Sequence, residues 1–343
     1  MRIGKGRVTA AEVARRAGVS QPTVSLILTR NPKARISPTT RERVLRIAEE
    51  IGYRPNRLAQ ALVARRSFAI GVIVPGFDNP FYAHVLSGAE KVAAESGYAV
   101  LLSEVGSTDG VQHLRALRDR QVDGVIIAGI AANTIPPEEL DDLNVVLVNQ
   151  PSTQYASVAG DSERAGQLAA THLLELGHRR FAFIGPATSI PAFRLRERGF
   201  AHALRTAGCA LSTDTLIRAD ASIAGGLGAM RRLLALPSRP TAVFCANDLV
   251  ALGAHKACGA AGVSLPGELS LLGCDDIEMS SLVSPELSTI LMPQRELGAR
   301  AVRLLLRRLD GNSATPPAAQ VLPPKLIVRG TTGAAPTLKE KTS

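Results

Sequence analysis

From Phe68 onward, short apolar runs alternate with longer amphipathic stretches. The runs are rich in Val, Ile and Leu and have the length of buried strands, and the stretches carry apolar residues at helical spacing. The predicted strands are 69–74, 98–102, 124–127, 145–148, 181–184, 242–245 and 269–273. The predicted helices are 81–96, 111–120, 164–176, 195–207, 225–236 and 248–261. The alternation occurs twice and predicts two doubly wound parallel α/β subdomains, the second beginning near residue 161.

The chain before residue 67 has another pattern, in which capping residues separate short helical segments. Thr9 and Glu12 have the spacing of a capping box, and Gly18 fits the left-handed residue that ends a first helix. Ser20 then begins a second helix over 21–28. Two short helices across a turn that contains Gly predict a helix-turn-helix.

A third helix is predicted over 41–51, after the start signal Ser37-Pro38-Thr39-Thr40. Its apolar side supplies Val44, Leu45, Ile47, Ala48 and Ile51, which close a small core with the first two helices. The expected fold class is therefore mixed. An all-α head precedes an α/β body.

The charge of the chain lies in the head. Residues 1–66 contain fifteen Lys and Arg and four Glu, a net charge of +11, whereas the whole chain has +10, so residues 67–343 come to about −1. A polyanion is the natural partner for so basic a module, and DNA is the obvious candidate.

Motifs of catalysis and metal binding are absent from the sequence. The four cysteines have no CxxC spacing and indicate buried, reduced thiols, and the six histidines form no HxxxH or HExxH pair. The sequence contains neither a phosphate-binding loop nor a nucleophile elbow. We therefore expect no catalytic residues, no metal and no cofactor. The start lacks a signal-peptide pattern and no stretch has eighteen uninterrupted apolar residues, so we expect a cytoplasmic protein.

Two motifs of the head are specific in combination. The first is Thr9-x-x-Glu12-Val13-Ala14-x-x-Ala17-Gly18-Val19-Ser20-x-x-Thr23-Val24-Ser25, and the second is Gly52-Tyr53-x-Pro55-Asn56-x-x-Ala59-x-x-Leu62. Both resemble the LacI/GalR family of bacterial repressors, and the resemblance covers about residues 8–330. It implies a recognition helix in the major groove of DNA and a periplasmic-binding-protein-like body that binds an effector.

The resemblance places Gln21, Pro22 and Leu26 at the positions that contact bases. Gln can pair with adenine through two hydrogen bonds, whereas Pro and Leu offer apolar contact, for instance to a thymine methyl group. Family members often carry Arg where Leu26 stands, so the usual guanine contact and the operator sequence do not transfer.

Contacts to the DNA backbone are expected from short hydroxyl side chains and from basic residues on the following loop. They are Thr9, Ser20, Thr23, Ser25, Arg30, Lys33 and Arg35, together with Asn56 in the linker.

The segment 56–62 resembles the hinge helix of the family, and Leu62 matches the residue that wedges into the central base step. Seven residues are too few for a stable isolated helix, so we expect this segment to fold as it binds DNA. Alternatively, Leu62 is a linker residue without a special contact.

Polar residues gather after the predicted strands, where ligands bind in open α/β sheets. The resemblance places Arg196, Asn247 and Asp275 at a small polar ligand in the cleft, with Asn149 and Asp161 nearby. Arg, Asn and Asp side chains together suit a polyhydroxyl ligand, because each can form paired hydrogen bonds with neighbouring hydroxyl groups. Apolar cover is expected from Phe77, Phe81 and Phe193. Trp is absent, which leaves nucleobases, sugar acids and sugar phosphates open beside sugars.

Each of these residues has a structural alternative. Asn247 and Asp248 are also placed to cap the helix that follows them, and Arg196 has Glu197 and Asp220 as possible ion-pair partners. The three Phe side chains are equally compatible with plain core positions.

The expected domain organisation follows from both the pattern and the resemblance. A helix-turn-helix domain (1–55) and a hinge with linker (56–66) precede an N-subdomain (67–160 plus 292–320), a C-subdomain (161–291 plus 321–330) and a disordered tail (331–343).

The sequence thus predicts a homodimeric regulator of repressor type that reads a palindromic DNA operator under control of a small sugar-like effector. Two alternatives stand beside it. One is an α/β enzyme that transforms sugars or nucleotides and carries a basic appendage. The other is a DNA-binding protein with a vestigial cleft.

Overall fold

In a computed structural model, the described residues are 8–28, 36–53, 66–106, 109–129, 135–187, 190–311 and 319–337. The chain divides into two compact units between Ser67 and Phe68. The first unit is the head and the second is the body, and each is described by itself.

Three helices form the head: α1 (Ala10–Ala17), α2 (Gln21–Leu28) and α3 (Pro38–Glu50). The Thr9 hydroxyl accepts a hydrogen bond from the Glu12 N–H, and Gly18 takes the left-handed conformation with φ 64°. The Glu12 carboxylate accepts bonds from Arg15 and Arg16, which lower its pKa to about 2.

The third helix begins three residues before the predicted start, because the Ser37 hydroxyl caps it by accepting the Thr40 N–H. All three helices bury small and branched aliphatic side chains against one another. The buried core of the head consists of Val13, Ala14, Ala17, Val24, Ile27, Val44 and Ala48.

Two six-stranded sheets form the body, as the strand–helix alternation predicts. The first sheet has the order β11-β5-β4-β3-β1-β2 and is parallel throughout. Its strands are β1 (Ala69–Val74), β2 (Ala99–Glu104), β3 (Gly124–Ala128), β4 (Val145–Val148), β5 (Ala156–Gly160) and β11 (Ala319–Leu322).

The second sheet has the order β12-β10-β9-β8-β6-β7, and only β12 is antiparallel to its neighbour within the described residues. Its strands are β6 (Phe181–Gly185), β7 (Leu216–Arg218), β8 (Ala242–Cys245), β9 (Ser270–Asp275), β10 (Ser288–Leu291) and β12 (Lys325–Ile327).

The helices of the body are α4 (Pro80–Glu95), α5 (Gly110–Asp119), α6 (Ser162–Glu175), α7 (Pro191–Thr206), α8 (Ile223–Leu234), α9 (Asp248–Ala260) and α10 (Gln294–Leu309). Short 3₁₀ turns lie at Pro137–Glu139 and Glu278–Ser281.

Each sheet and the helices that pack on it form one lobe of the body. Three connections join the two lobes: between β5 and α6, between β10 and α10, and between β11 and β12. The last helix, α10, packs on α4 and on strands of the first sheet. The predicted lobe boundary at 320/321 falls inside β11, since Val321 and Leu322 pair with Ala159 and Gly160 of the first sheet.

The predicted disordered tail begins too early. Thr331 is fully buried: its hydroxyl donates to the Leu271 carbonyl at 2.7 Å and accepts the Ser288 N–H at 2.8 Å. The Ala335 N–H donates to the Leu176 carbonyl. Residues 331–337 therefore pack on the second lobe, because the Thr hydroxyls satisfy backbone groups that would otherwise be buried without partners.

Helices α6 and α7 approach closely through two glycines. A Cβ at Gly166 would lie 2.0 Å from the Arg196 carbonyl oxygen, and a Cβ at Gly199 would lie 2.0 Å from that of Glu163. Phe200 of α7 packs against Phe181, Phe183 and Phe244 of the sheet, with ring centroids 5.1–6.3 Å apart. This contact holds α7, which carries Arg196, in a fixed position above the second sheet.

Candidate functional site

The second helix of the head has one buried face and one exposed face. Val24 and Ile27 are buried in the core of the head, whereas the exposed residues include Gln21, Pro22 and Leu26. Leu26 is 38% exposed. The three residues that sequence reasoning assigned to base contacts therefore lie on the surface.

Three of the four hydroxyl side chains predicted to contact phosphate lie at the starts of the first two helices. The Ser20 hydroxyl accepts the Thr23 N–H and lies 2.8 Å from the Thr23 hydroxyl, so both begin α2. Thr9 caps α1, and Ser25 is exposed on α2. Helix N-termini with backbone and hydroxyl donors suit phosphate groups. The other predicted DNA contacts lie outside the described residues: Arg30, Lys33, Arg35, Asn56 and Leu62.

In the body, the candidate ligand site centres on a buried ion pair. Arg196 of α7 donates from Nη2 to the Asp275 carboxylate at 2.9 Å and from Nη1 to the Ala246 carbonyl at 2.5 Å. The side chains of Arg196 and Asp275 are 3% and 4% exposed. Glu197, one of the ion-pair partners that the sequence offered for Arg196, pairs with Arg218 instead. Arg196 pairs with Asp275 at the end of β9.

Asp275 ends β9 in an unusual backbone conformation, with φ 125°, and Asp276 follows with φ 57°. Positive φ at a residue other than Gly costs about 1–3 kcal/mol and is frequent at functional sites. The Gln294 side chain, at the start of α10 in the other lobe, donates to the Asp275 carbonyl. Arg329 donates to the Asp276 carboxylate at 2.7 Å. Hydrogen bonds from Gln294 and Arg329 thus hold the strained backbone of Asp275 and Asp276 in place.

The pKa of Asp275 lies well above its ordinary value. Burial raises the pKa of Asp275 to about 7, against the lowering effect of the Arg196 charge, and nearby Asp248 raises it further. The buried Asp275 carboxylate is poorly solvated and has few hydrogen-bond donors around it. A hydroxyl group of a ligand would therefore give it a favourable hydrogen bond.

Asn247 and Asp248, at the start of α9, have different roles. The Asn247 side-chain oxygen accepts the Val250 N–H, so this residue caps the helix as the structural alternative proposes. Its Nδ2 is buried and has no hydrogen-bond partner among the described residues, and the same holds for Nε of Arg196. Asp248 is fully bonded, to the Thr289 and Ser280 hydroxyls and to a backbone N–H, and is structural.

The ion pair lines a cavity of ≈ 20 Å³ between the lobes, a volume that holds about one water molecule. Five predicted effector residues line it: Phe81, Asn149, Phe193, Arg196 and Asp275. Sequence reasoning missed the other lining residues, which are Asn79, Tyr82, Gly129, Ile190 and Ala192. Tyr82 follows Phe81 on the same helix, and its phenol pKa is raised by burial.

Two of the three predicted Phe residues line the cavity. The Phe193 ring lies against the Arg196 guanidinium, 5.6 Å from carbon to centroid, and Phe81 is buried beside Tyr82. Phe77 is 46% exposed and does not line the cavity.

The two remaining predicted residues differ in position. Asp161 caps α6 through the Arg164 N–H and is absent from the cavity lining. Asn149 takes φ 58° at the end of β4, and its side-chain oxygen accepts the Gly160 N–H at 3.2 Å.

A helix-turn-helix head and a two-lobed body with a polar inter-lobe site define the class of DNA-binding proteins that carry a periplasmic-binding-protein-like domain. Two family models match the chain accordingly. "Bacterial regulatory proteins, lacI family" matches residues 9–56, and "Periplasmic binding protein-like domain" matches residues 170–332.

Known proteins match over nearly the whole length. The ribose operon repressor of Haemophilus influenzae is 34% identical over 306 residues, which cover 88% of this chain and 92% of that protein. The repressor CytR of Escherichia coli is 33% identical over 96% of this chain and 97% of its own. The Lac repressor dimer bound to operator and the anti-inducer ONPF has a TM-score of 0.78 at 30% identity, over 95% of this chain and 99% of that one.

The chain belongs to the LacI family of bacterial regulatory proteins and is a DNA-binding transcriptional regulator. The ribose operon repressor and CytR are both repressors. Among the described residues no helix is long and apolar enough to span a membrane. In the same part of the chain no group of His, Cys, Asp and Glu is arranged to hold a metal ion.

Proposed function

We propose that the protein is a homodimeric repressor whose affinity for operator DNA is controlled by a neutral polyhydroxyl ligand bound between the lobes of the body. The observation that carries the ligand class is the buried pair of Arg196 and Asp275. Its two charges compensate each other, so the site has paired donors and acceptors for hydroxyl groups but no surplus charge for a phosphate or a sugar acid.

The relatives support this class. They include ribose operon repressors and two solved LacI-family regulators with bound ribose, and the regulator CelR was solved as a complex with cellobiose. Nothing in the charge of the site distinguishes a pentose from a disaccharide or a nucleoside. We assign effector contacts to Arg196, Asp275, Asn149, Phe81 and Phe193, and we add Tyr82 to them.

We propose that the lobes separate when a ligand enters, because the cavity of ≈ 20 Å³ is smaller than a sugar. Ligand binding then selects one lobe arrangement over another, and operator affinity changes if the two arrangements bind the ligand unequally. We propose that the head reads DNA through Gln21, Pro22 and Leu26, and that the hinge residue Leu62 enters the minor groove as in the family.

We further propose that the protein works in the cytoplasm and catalyses no reaction. The test is calorimetric titration of the full chain with ribose, cellobiose, a nucleoside, gluconate and ribose 5-phosphate. We expect heat of binding from at least one neutral compound and none from the two anions. Binding of an anion in preference to its neutral counterpart would refute the assignment, and turnover of any of these compounds would revive the enzyme alternative.

The control variant is Arg198→Gln, which removes an exposed guanidinium from the same helix two residues after Arg196. We expect Arg196→Gln to weaken binding of the neutral ligand by about tenfold or more, since hydrogen bonds from charged groups contribute about 1.5–3 kcal/mol. Arg198→Gln should leave the titration unchanged. Equal titrations for both variants would remove Arg196 from the site.

A further inference from the structure

Among the described residues, a groove lies on the outer side of α7, away from the inter-lobe cavity. Its volume is ≈ 470 Å³, and four arginines line it: Arg194, Arg198, Arg205 and Arg218. We call it the arginine groove. Three of these residues come from the exposed face of α7, because the opposite face buries Arg196, Gly199, Phe200 and Leu204. The groove arginines are therefore separate from Arg196 of the ligand site.

Two of the four arginines are neutralised within the protein. Arg198 forms two hydrogen bonds to Glu163, and Arg218 forms two to Glu197. Arg194 and Arg205 make no ion pair among the described residues. The groove thus keeps about two positive charges, on a body whose residues 67–343 have a net charge of about −1.

The spacing of the charges indicates an elongated occupant. Arg194 and Arg205 are eleven residues apart on one helix, which corresponds to about 16 Å along its axis. A single phosphate cannot span that distance, whereas about five residues of extended polypeptide do. Between the arginines the lining residues are small, with Ala201 on the helix and Ala187 beside it, so a peptide backbone can approach closely.

Guanidinium groups pair with carboxylates through two parallel hydrogen bonds, a geometry that the two internal Arg–Glu pairs already show in this groove. We propose that the arginine groove binds an extended acidic segment of a partner protein. Arg194 and Arg205 take carboxylates of the partner, and Arg198 and Arg218 stay oriented by their own glutamates. The interface is small, so the interaction is of the transient class.

The test uses the full chain and a fluorescein-labelled peptide of four Asp-Glu repeats, with excess random-sequence duplex DNA to occupy the basic head. Peptide binding is followed by fluorescence anisotropy at increasing salt. The test variant carries Arg194→Gln and Arg205→Gln. The matched control carries Arg231→Gln and Arg232→Gln, which remove the same charge from exposed positions of α8.

We expect the groove variant to bind the peptide at least tenfold more weakly and the control variant to stay within twofold of the unaltered protein. A further variant with Arg194→Lys and Arg205→Lys keeps the charge but loses the planar fork, and it should fall between them. Melting curves of all variants should coincide because the substituted side chains are exposed.

Three outcomes would overturn the proposal. Equal weakening in the groove and control variants would mean that the peptide senses net charge alone. Displacement of the peptide by pyrophosphate at concentrations equal to the peptide's own would indicate a small-anion site. Weaker binding of DNA rather than of the peptide in the groove variant would make this surface part of the nucleic-acid interface.

Discussion

Replacing Asp275 by Asn should make the protein more stable at neutral and alkaline pH while it weakens ligand binding. The pKa of Asp275 is raised from its ordinary value of 3.8 to about 7, chiefly by burial. A shift of about three pKa units corresponds to about 4 kcal/mol, because each unit is worth about 1.36 kcal/mol. Asn removes the ionisation and keeps the shape. The pKa of about 7 for Asp275 already includes the lowering effect of the Arg196 charge, so that effect is not subtracted a second time.

The direction of the pH dependence follows from proton counts. Between pH 4 and 7 the folded protein holds a proton on Asp275 that the unfolded chain has lost, so this group's contribution is present at low pH and is lost as the pH rises toward 7. Asp275→Asn should therefore gain up to about 4 kcal/mol over the unaltered protein at pH 8 and less than half of that at pH 5.

The assay is urea unfolding followed by circular dichroism, since the chain contains no Trp. The midpoint is measured at several pH values between 5 and 8.5 for the unaltered protein and the variant. Glu163→Gln is the control: the pKa of Glu163 is lowered by Arg198, so its ionisation does not change in this range. A variant that is less stable than the unaltered protein at pH 8, or that keeps the same pH slope, would refute the reasoning.

Three further predictions concern other parts of the molecule. Gly166→Ala should cost about 1–3 kcal/mol of unfolding free energy and weaken ligand binding, because its Cβ would collide with the Arg196 carbonyl; calorimetry measures both, and unchanged ligand affinity would contradict the link. The buried His178 has a lowered pKa, so its contribution to stability is lost as the pH falls below about 6.5, and His178→Gln should flatten that part of the urea-midpoint curve. Leu26→Arg should shift the preferred half-site toward guanine in a selection from random duplexes, and an unchanged consensus would remove Leu26 from the base contacts.

Periodicity and caps predicted much of the fold, since most of the strands of the body are continuous apolar runs and most helices begin at a capping residue. The strands that were not predicted are β5, β7, β10, β11 and β12. β5 consists mainly of small residues, and the other four have three or four residues each and include a polar one. The packing of residues 331–337 was also missed, because Thr and Gly in a polar segment look solvent-exposed until their partners on the second lobe are known.

The sequence also predicted part of the ligand site. Residues that follow strands are brought together by the topology of a parallel sheet, so Asn149 and Asp275 were accessible to sequence reasoning. Tyr82 lies within a helix, where neighbouring aromatic residues read as core, and its position at the cavity depends on how the lobes meet. The ion-pair partner of Arg196 depends on long-range packing and not on the sequence neighbours Glu197 and Asp220.

Ligand binding between the lobes should change the affinity of the head for DNA. The most direct measurement is a fluorescence anisotropy titration of a labelled operator duplex, selected from genomic fragments, with the full chain at constant salt, in the presence and absence of the neutral ligand found by calorimetry. Operator affinity should change by fivefold or more for the unaltered protein and should stay the same for Arg196→Gln at the same ligand concentration. Equal operator affinity with and without saturating ligand in the unaltered protein would contradict this prediction.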